Sequence, residues 1–190
     1  MPAPQSLSPQ VLPARTLIWH IFAVIIGVLL LSASSYISIP MVPVPITLQT
    51  LVVTLVGALL GWRLGATTVV VWLVLGAFGL PVLAGGTSGM SRFSGATAGY
   101  LFAFPIAAAL CGALVAKGWN GLRPGLAFLN MVLSTAVCLV LGGAWLAANI
   151  GLERAIVNGV TPFLMGGLIK SAVGALILFL IAKATRPEPN

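Results

Sequence analysis

The sequence predicts an all-α integral membrane protein, a bundle of about six transmembrane helices with both termini on the cytoplasmic side. Three observations predict it. Of the 190 residues, 59% are hydrophobic and only 6% are charged, with a mean hydropathy of +1.15. A soluble domain carries about 25% charged residues, so the solvent for most of this chain is lipid. Second, the apolar residues come in runs separated by breaks rich in proline, glycine or cations. Third, nine cations stand against two acids, spread one or two at a time between those runs. That pattern fixes topology. It lacks the basic patch with interleaved aromatics that nucleic-acid binding needs, and so excludes that class.

The elements follow in order. Residues 1–16 read as a flexible cytoplasmic tail, 17–184 as one transmembrane domain, and 185–190 as a second tail. The first apolar run, Leu17 to Ser35, continues into small residues without a cleavage site, so it is a retained helix and not a signal peptide. A loop with Pro40, Pro43 and Pro45 follows. Helix 2 is expected over Thr47–Leu60, a turn over Gly61–Gly65, and helix 3 over Ala66–Phe78. Both are short for a span of about 20 residues, and a re-entrant pair is the rival reading. The stretch Gly79–Gly99 is rich in glycine and hydroxyl side chains and carries Arg92. Helices 4, 5 and 6 are expected over Thr97–Ala116, Gly125–Ala148 and Val160–Ala184, with a loop through Glu153 and Arg154 before the last.

With both ends inside, the cytoplasmic face holds Arg15, Arg63, Lys117, Arg123, Lys183 and Arg186, and the outer face Arg92 and Arg154. This is the bias that cytoplasmic loops show. It puts the proline-rich and glycine-rich loops together on the outer side. Irregular backbone at membrane depth must line a protein-walled or watery cavity. Gly57, Gly61 and Gly65, and Ala23 and Gly27, recur every four residues, a spacing that lets helices approach closely. Such positions serve internal packing or docking to a partner.

Several chemistries are excluded. No G-x-x-x-x-G-K-[ST] phosphate loop is present, so this chain does not hydrolyse ATP by that route. No acid lies within the expected helices, which removes a carboxylate proton relay. Cys111 and Cys138 sit inside apolar runs without clustered His or Asp, and read as packing residues. Gly86-Thr87-Ser88-Gly89 matches the pattern of intramembrane serine proteases, but the lone His20 is expected near the opposite face. Without a base in reach a serine is not a nucleophile.

Two cations stand out. Arg92 is a guanidinium in an otherwise uncharged loop, a fork of donors suited to a carboxylate or ureido oxygen. The bland reading is a solvated or headgroup-bound cation. Lys170 lies about ten residues, roughly 15 Å, into helix 6. An intramembrane ammonium faces a cavity or snorkels to the interface. Thr47, Gln49, Thr97 and Tyr100 border the two outer loops, with Ser88, Asn130 and Asn149 as further polar candidates. Tyr36, Trp72, Phe78, Phe93 and Tyr100 are candidate pocket walls.

Three segments carry a family resemblance: Pro43-Val44-Pro45-Ile46-Thr47-Leu48-Gln49-Thr50, then Gly76-Ala77-Phe78-Gly79-Leu80-Pro81-Val82-Leu83-Ala84-Gly85-Gly86, then Gly95-Ala96-Thr97-Ala98-Gly99-Tyr100. In order and spacing they resemble BioY, the biotin-specific substrate-binding components of energy-coupling factor (ECF) transporters. The resemblance covers about residues 17–183. It implies a specificity component and not an enzyme, binding biotin from outside in a bacterial cytoplasmic membrane. It further implies a transmembrane coupling protein and two ATPase subunits as partners, with ATP used by them and no cofactor held by this chain. Arg92 and Lys170 are then the polar anchors, Tyr100, Thr97, Gln49, Thr47 and Ser88 shape the pocket, and Ala23 and Gly27 meet the coupling protein.

The chain departs from the family pattern at Ala96 and Ala98, where proline and glycine are common, and at Gly167, where an Asp usually precedes the Lys by three residues. A component for another small anionic vitamin or a biotin precursor is the alternative. An intramembrane enzyme is the alternative of another class.

Overall fold

The computed structural model describes residues 14–185, with side chains from residue 17. The expected tails, 1–16 and 185–190, lie largely outside them. Five helices among the described residues are long and apolar enough to cross a membrane. They are α1 (Ala14–Tyr36), α2 (Gln49–Ala77), α3 (Ala98–Ala116), α4 (Pro124–Ile150) and α5 (Leu152–Ala184).

The expected helices 2 and 3 form one element, α2, but not one straight rod. Gly61, at φ 79° and ψ 171°, leaves the helical region, a backbone conformation essentially confined to glycine. A straight helix of 29 residues would span about 43 Å. Here both ends of α2 reach the end of α1. Gln49 Nε2 donates to Ser35 Oγ (2.9 Å), and Tyr36 Oη donates to the Pro81 carbonyl just beyond Ala77 (2.5 Å). The halves therefore fold back at Gly61. A Cβ on Gly65 would lie 2.8 Å from the Gly57 Cα, so a close approach of two backbones demands glycine there. A break at one residue replaces the five-residue turn expected from the sequence.

The loop expected through Glu153 and Arg154 is helical instead. Gly151, at φ 88°, ends α4 and turns the chain by itself. Leu152–Ala155, a run containing good helix formers, then starts α5 at once. A π turn, Ile156–Val160, leads into Thr161–Ala184. Between α1 and α2, β1 (Ser38–Ile39) pairs antiparallel with β2 (Ile46–Thr47), a ribbon the sequence did not announce. Between α2 and α3 the glycine-rich stretch runs through two short 3₁₀ turns, Ala84–Gly86 and Met90–Phe93.

The core is layered along the bundle. Leu31, Val53, Val69, Trp72 and Phe104 join α1, α2 and α3, while Cys111, Ala127, Met131 and Leu178 join α3, α4 and α5. Both cysteines are free and buried. Gly112 lies against Gly61 and Trp62, and Gly121 against Leu178 and Ala182. Arg63, Lys117, Arg123 and Lys183 consequently gather at one end of the bundle. The β ribbon, the glycine-rich stretch with Arg92, and Arg154 occupy the other.

Candidate functional site

A cavity of about 410 Å³ opens at the end that carries the ribbon and the glycine-rich stretch. That volume lies in the range of small-molecule sites. One wall is the proline-rich segment, including Pro40, Met41 and Val44. Leu83, Ala84 and Thr87 come from the stretch after α2. Tyr100, Leu101 and Phe104 come from α3, Cys138 and Leu139 from α4, and Phe163 and Lys170 from α5.

Six of the seven substrate-site residues expected from the sequence come together on this cavity: Thr47, Gln49, Arg92, Thr97, Tyr100 and Lys170. Ser88 does not line it; its neighbour Thr87 does. The Thr87 hydroxyl donates to the Ala84 carbonyl (2.9 Å), which closes the turn that shapes this wall.

The Lys170 ammonium is half-buried. It donates to the Thr47 carbonyl (3.0 Å) and to Thr50 Oγ1 (2.7 Å). Thr47 Oγ1 donates to Gln49 Oε1 (2.9 Å), so these two polar side chains satisfy each other. Gln49 is buried and passes the chain of bonds on to Ser35. Arg92 is exposed at the rim. Among the described residues no carboxylate pairs with either cation; the single acid there, Glu153, is exposed at the start of α5.

Tyr100 presents its ring to the cavity and its hydroxyl to the protein. The hydroxyl donates to the Gly159 carbonyl inside the π turn (2.7 Å). Its ring stacks on Phe163 with centroids 6.3 Å apart. Trp72 is buried, with Nε1 donating to the Val82 carbonyl (3.0 Å), and packs on Phe104 at 6.1 Å. It thus pins the glycine-rich stretch and does not line the cavity. Of the five aromatics expected as walls, Tyr100 alone lines it. Tyr36 is spent on Pro81, Phe78 is 84% exposed, and Phe93 packs against the core and Phe102.

The aromatic wall is instead Tyr100, Phe104 and Phe163. Helical spacing held the signal: Phe104 lies four residues after Tyr100, and Phe163 seven before Lys170, on the same helix faces. Thr50 was also missed, one residue beyond the Gln49 that was singled out. Asn130 is structural, donating to the carbonyls of Cys111 (3.1 Å) and Trp119 (3.2 Å), and Asn149 donates to Trp145 within its own helix (2.8 Å). Gly167 is buried, with its Cβ position 3.3 Å from Thr135 Cγ2 on α4, and does not line the cavity. Gly27 is buried against Thr68 and Leu60, while Ala23 is half-buried on α1.

The arrangement is an apolar, aromatic-lined hollow with one ammonium inside and one guanidinium at its rim. It suits a small solute with an apolar body, a few polar atoms and a negative charge. Among the described residues no group of three or more metal-ligating side chains occurs.

Known proteins resemble this chain in sequence and in fold. The "Probable biotin transporter BioY" of Pyrococcus horikoshii is 36% identical over 79% of this chain and 88% of its own length. The "Biotin transporter BioY" of Thermotoga maritima is 36% identical over 81% of this chain and 90% of its own. Among solved structures, the S-component for biotin from an ECF-type ABC transporter superposes with a TM-score of 0.80 at 25% identity, covering 91% of this chain and 95% of that one. The BioY family model matches residues 7–187, every helix that builds the cavity included, and the chain belongs to the BioY family.

Proposed function

We propose that this chain is the biotin-binding component of a vitamin importer, a transport protein and not an enzyme. The observation that carries the reading is Lys170. Its ammonium sits in an aromatic-lined cavity, held by two uncharged oxygens, with no carboxylate to neutralise it among the described residues. A half-buried charge within a membrane-spanning helix calls for compensation, and a ligand's acceptor atoms supply it. Biotin offers a ureido carbonyl, an apolar thioether ring for Tyr100, Phe104 and Phe163, and a carboxylate. A carboxylate is costly to strip of water. It therefore stays at the rim beside exposed Arg92, and the ureido ring goes inward to Lys170. Thr97 borders the ring, and Thr47 and Gln49 hold the floor. Ser88 lies off the cavity, and Thr87 takes the place on the wall expected of it.

The two halves of α2 count as separate spans in this reading. Six crossings leave both termini on one face. Arg63, Lys117, Arg123 and Lys183 mark that face as cytoplasmic, and the cavity then opens outward, in the cytoplasmic membrane of a bacterium. Transport is driven by a coupling protein and two ATPase subunits that use ATP. Docking uses α1 around Ala23; Gly27, buried on Thr68, lets α1 lie close to α2.

Competition in lipid nanodiscs against labelled biotin tests the reading. Unlabelled biotin should displace the label, and biotin amide, which lacks the charge, should need a concentration at least ten-fold higher. Equal competition by the amide contradicts the role of the carboxylate. Folded protein that takes up no label contradicts the biotin assignment. One observation favours a second ligand: among the described residues no carboxylate lines the cavity to accept the ureido N–H groups. Displacement by dethiobiotin at lower concentration than by biotin would point to the precursor.

A further inference from the structure

We infer that Thr50 is a positioning residue for Lys170, fixing its ammonium in the cavity in place of an acidic partner. The inference rests on the reading of this cavity as a biotin site.

An ammonium has three N–H donors on a flexible four-carbon stem. Two are used here. One goes to the main-chain carbonyl of Thr47 and one, the shorter at 2.7 Å, to Thr50 Oγ1. The third has no acceptor among the described residues, and Lys170 lines the cavity. The two acceptors have different standing. Thr47 is held by a chain of bonds that no ligand need touch: its hydroxyl to Gln49, the Gln49 amide to Ser35, and the Ser35 hydroxyl to the Leu31 carbonyl. Thr50 lies on the first turn of α2, also lines the cavity, and has a side chain stiff at χ1. Its oxygen is therefore a fixed point.

Ordering a lysine side chain has a large entropic cost, and a site that has already met it binds more tightly. Thr50 does this for Lys170. With one lone pair on the ammonium, its own hydroxyl proton is free to donate beside the third N–H. No acceptor for that proton occurs among the described residues. The pair forms a twin donor for a carbonyl oxygen.

Valine keeps the shape of threonine and removes the oxygen; serine keeps the oxygen. The experiment measures biotin affinity by calorimetry for the native chain, Thr50→Val, Thr50→Ser, Lys170→Met and the Thr50→Val/Lys170→Met double variant. Melting temperatures in detergent are recorded for each. Loss of a charge-assisted hydrogen bond predicts about a ten-fold loss of affinity in Thr50→Val. Thr50→Ser should stay within about three-fold of native, and Thr50→Val should cost nothing further once Lys170 is Met. A Thr50→Val variant that binds like the native chain overturns the inference. So does a serine variant as weak as valine, or penalties that simply add.

A second readout needs no ligand. The rate at which an amine-acylating reagent modifies Lys170, read by peptide mass with Lys117 and Lys183 as internal references, should rise several-fold in Thr50→Val and not in Thr50→Ser. If the native chain ignores biotin, the functional reading fails, and this rate alone decides the role of Thr50. An unchanged rate overturns it.

Discussion

Tyr100 on α3 and Gly159 in the π turn of α5 are joined by a hydrogen bond of 2.7 Å, donated by the phenol to the glycine carbonyl. The π turn supplies this acceptor because its wider ring leaves carbonyls off the regular ladder, a feature that recurs at functional sites. The bond ties two helices together beside the cavity, and it spends the one polar atom of Tyr100 on the protein. Tyr100→Phe should lower stability by about 1–2 kcal/mol. Biotin affinity should fall less than ten-fold, since the ring still stacks on Phe163. Thermal unfolding and calorimetry on the same preparation check the split. A Phe variant with native stability and no affinity would make the hydroxyl a ligand contact.

Gly142 on α4 sits under the Tyr100 ring, where a Cβ would overlap ring carbons. Overpacking of this kind costs about 1–3 kcal/mol. Gly142→Ala should push the ring toward the cavity and weaken biotin and dethiobiotin alike. Fluorescence-monitored melting and the two affinities measure it.

Gly61→Ala should destabilise the chain by about 1–3 kcal/mol, because alanine at φ 79° and ψ 171° is strained. A Cβ built on Gly61 would point into open space, so strain and not a clash is the cause. Gly125→Ala, also in open space but without a positive φ, is the matched control and should be near neutral on melting.

Arg92 and Lys170 should separate by salt. Arg92 is exposed, and screening weakens exposed charges over about 10 Å at 0.1 M salt. Arg92→Ala should lower affinity clearly at low ionic strength and much less at high. The loss in Lys170→Met should persist at both. Titrations at two salt concentrations decide it, and identical salt slopes for the two variants would contradict the rim and interior placements.

The membrane class and most helix positions were legible because hydropathy and glycine or proline breaks act locally. The end of α3 at Ala116 needs only the residues around it. The Gly61 fold-back was half legible: the turn was visible, but its restriction to one residue depends on Gly57 and Gly65 meeting in space. Glu153 and Arg154 misled because charges suggest a loop, whereas Gly151 alone turns the chain. At the site, Lys170 and Arg92 were legible as charges in apolar surroundings. Thr50 was not. A threonine near a helix start looks like ordinary capping, and only the fold brings Lys170 to it from 120 residues away. Trp72 and Phe78 looked like pocket walls, yet which face of a buried helix meets a cavity is set by its neighbours.

The most direct measurement is a calorimetric titration of the purified chain with biotin, beside Lys170→Met at matched melting temperature. The native chain should bind one biotin per chain, and the variant at least ten-fold more weakly. Folded native protein that gives no heat of binding at millimolar biotin, or a Lys170→Met variant that binds as tightly as the native chain, would contradict the assignment.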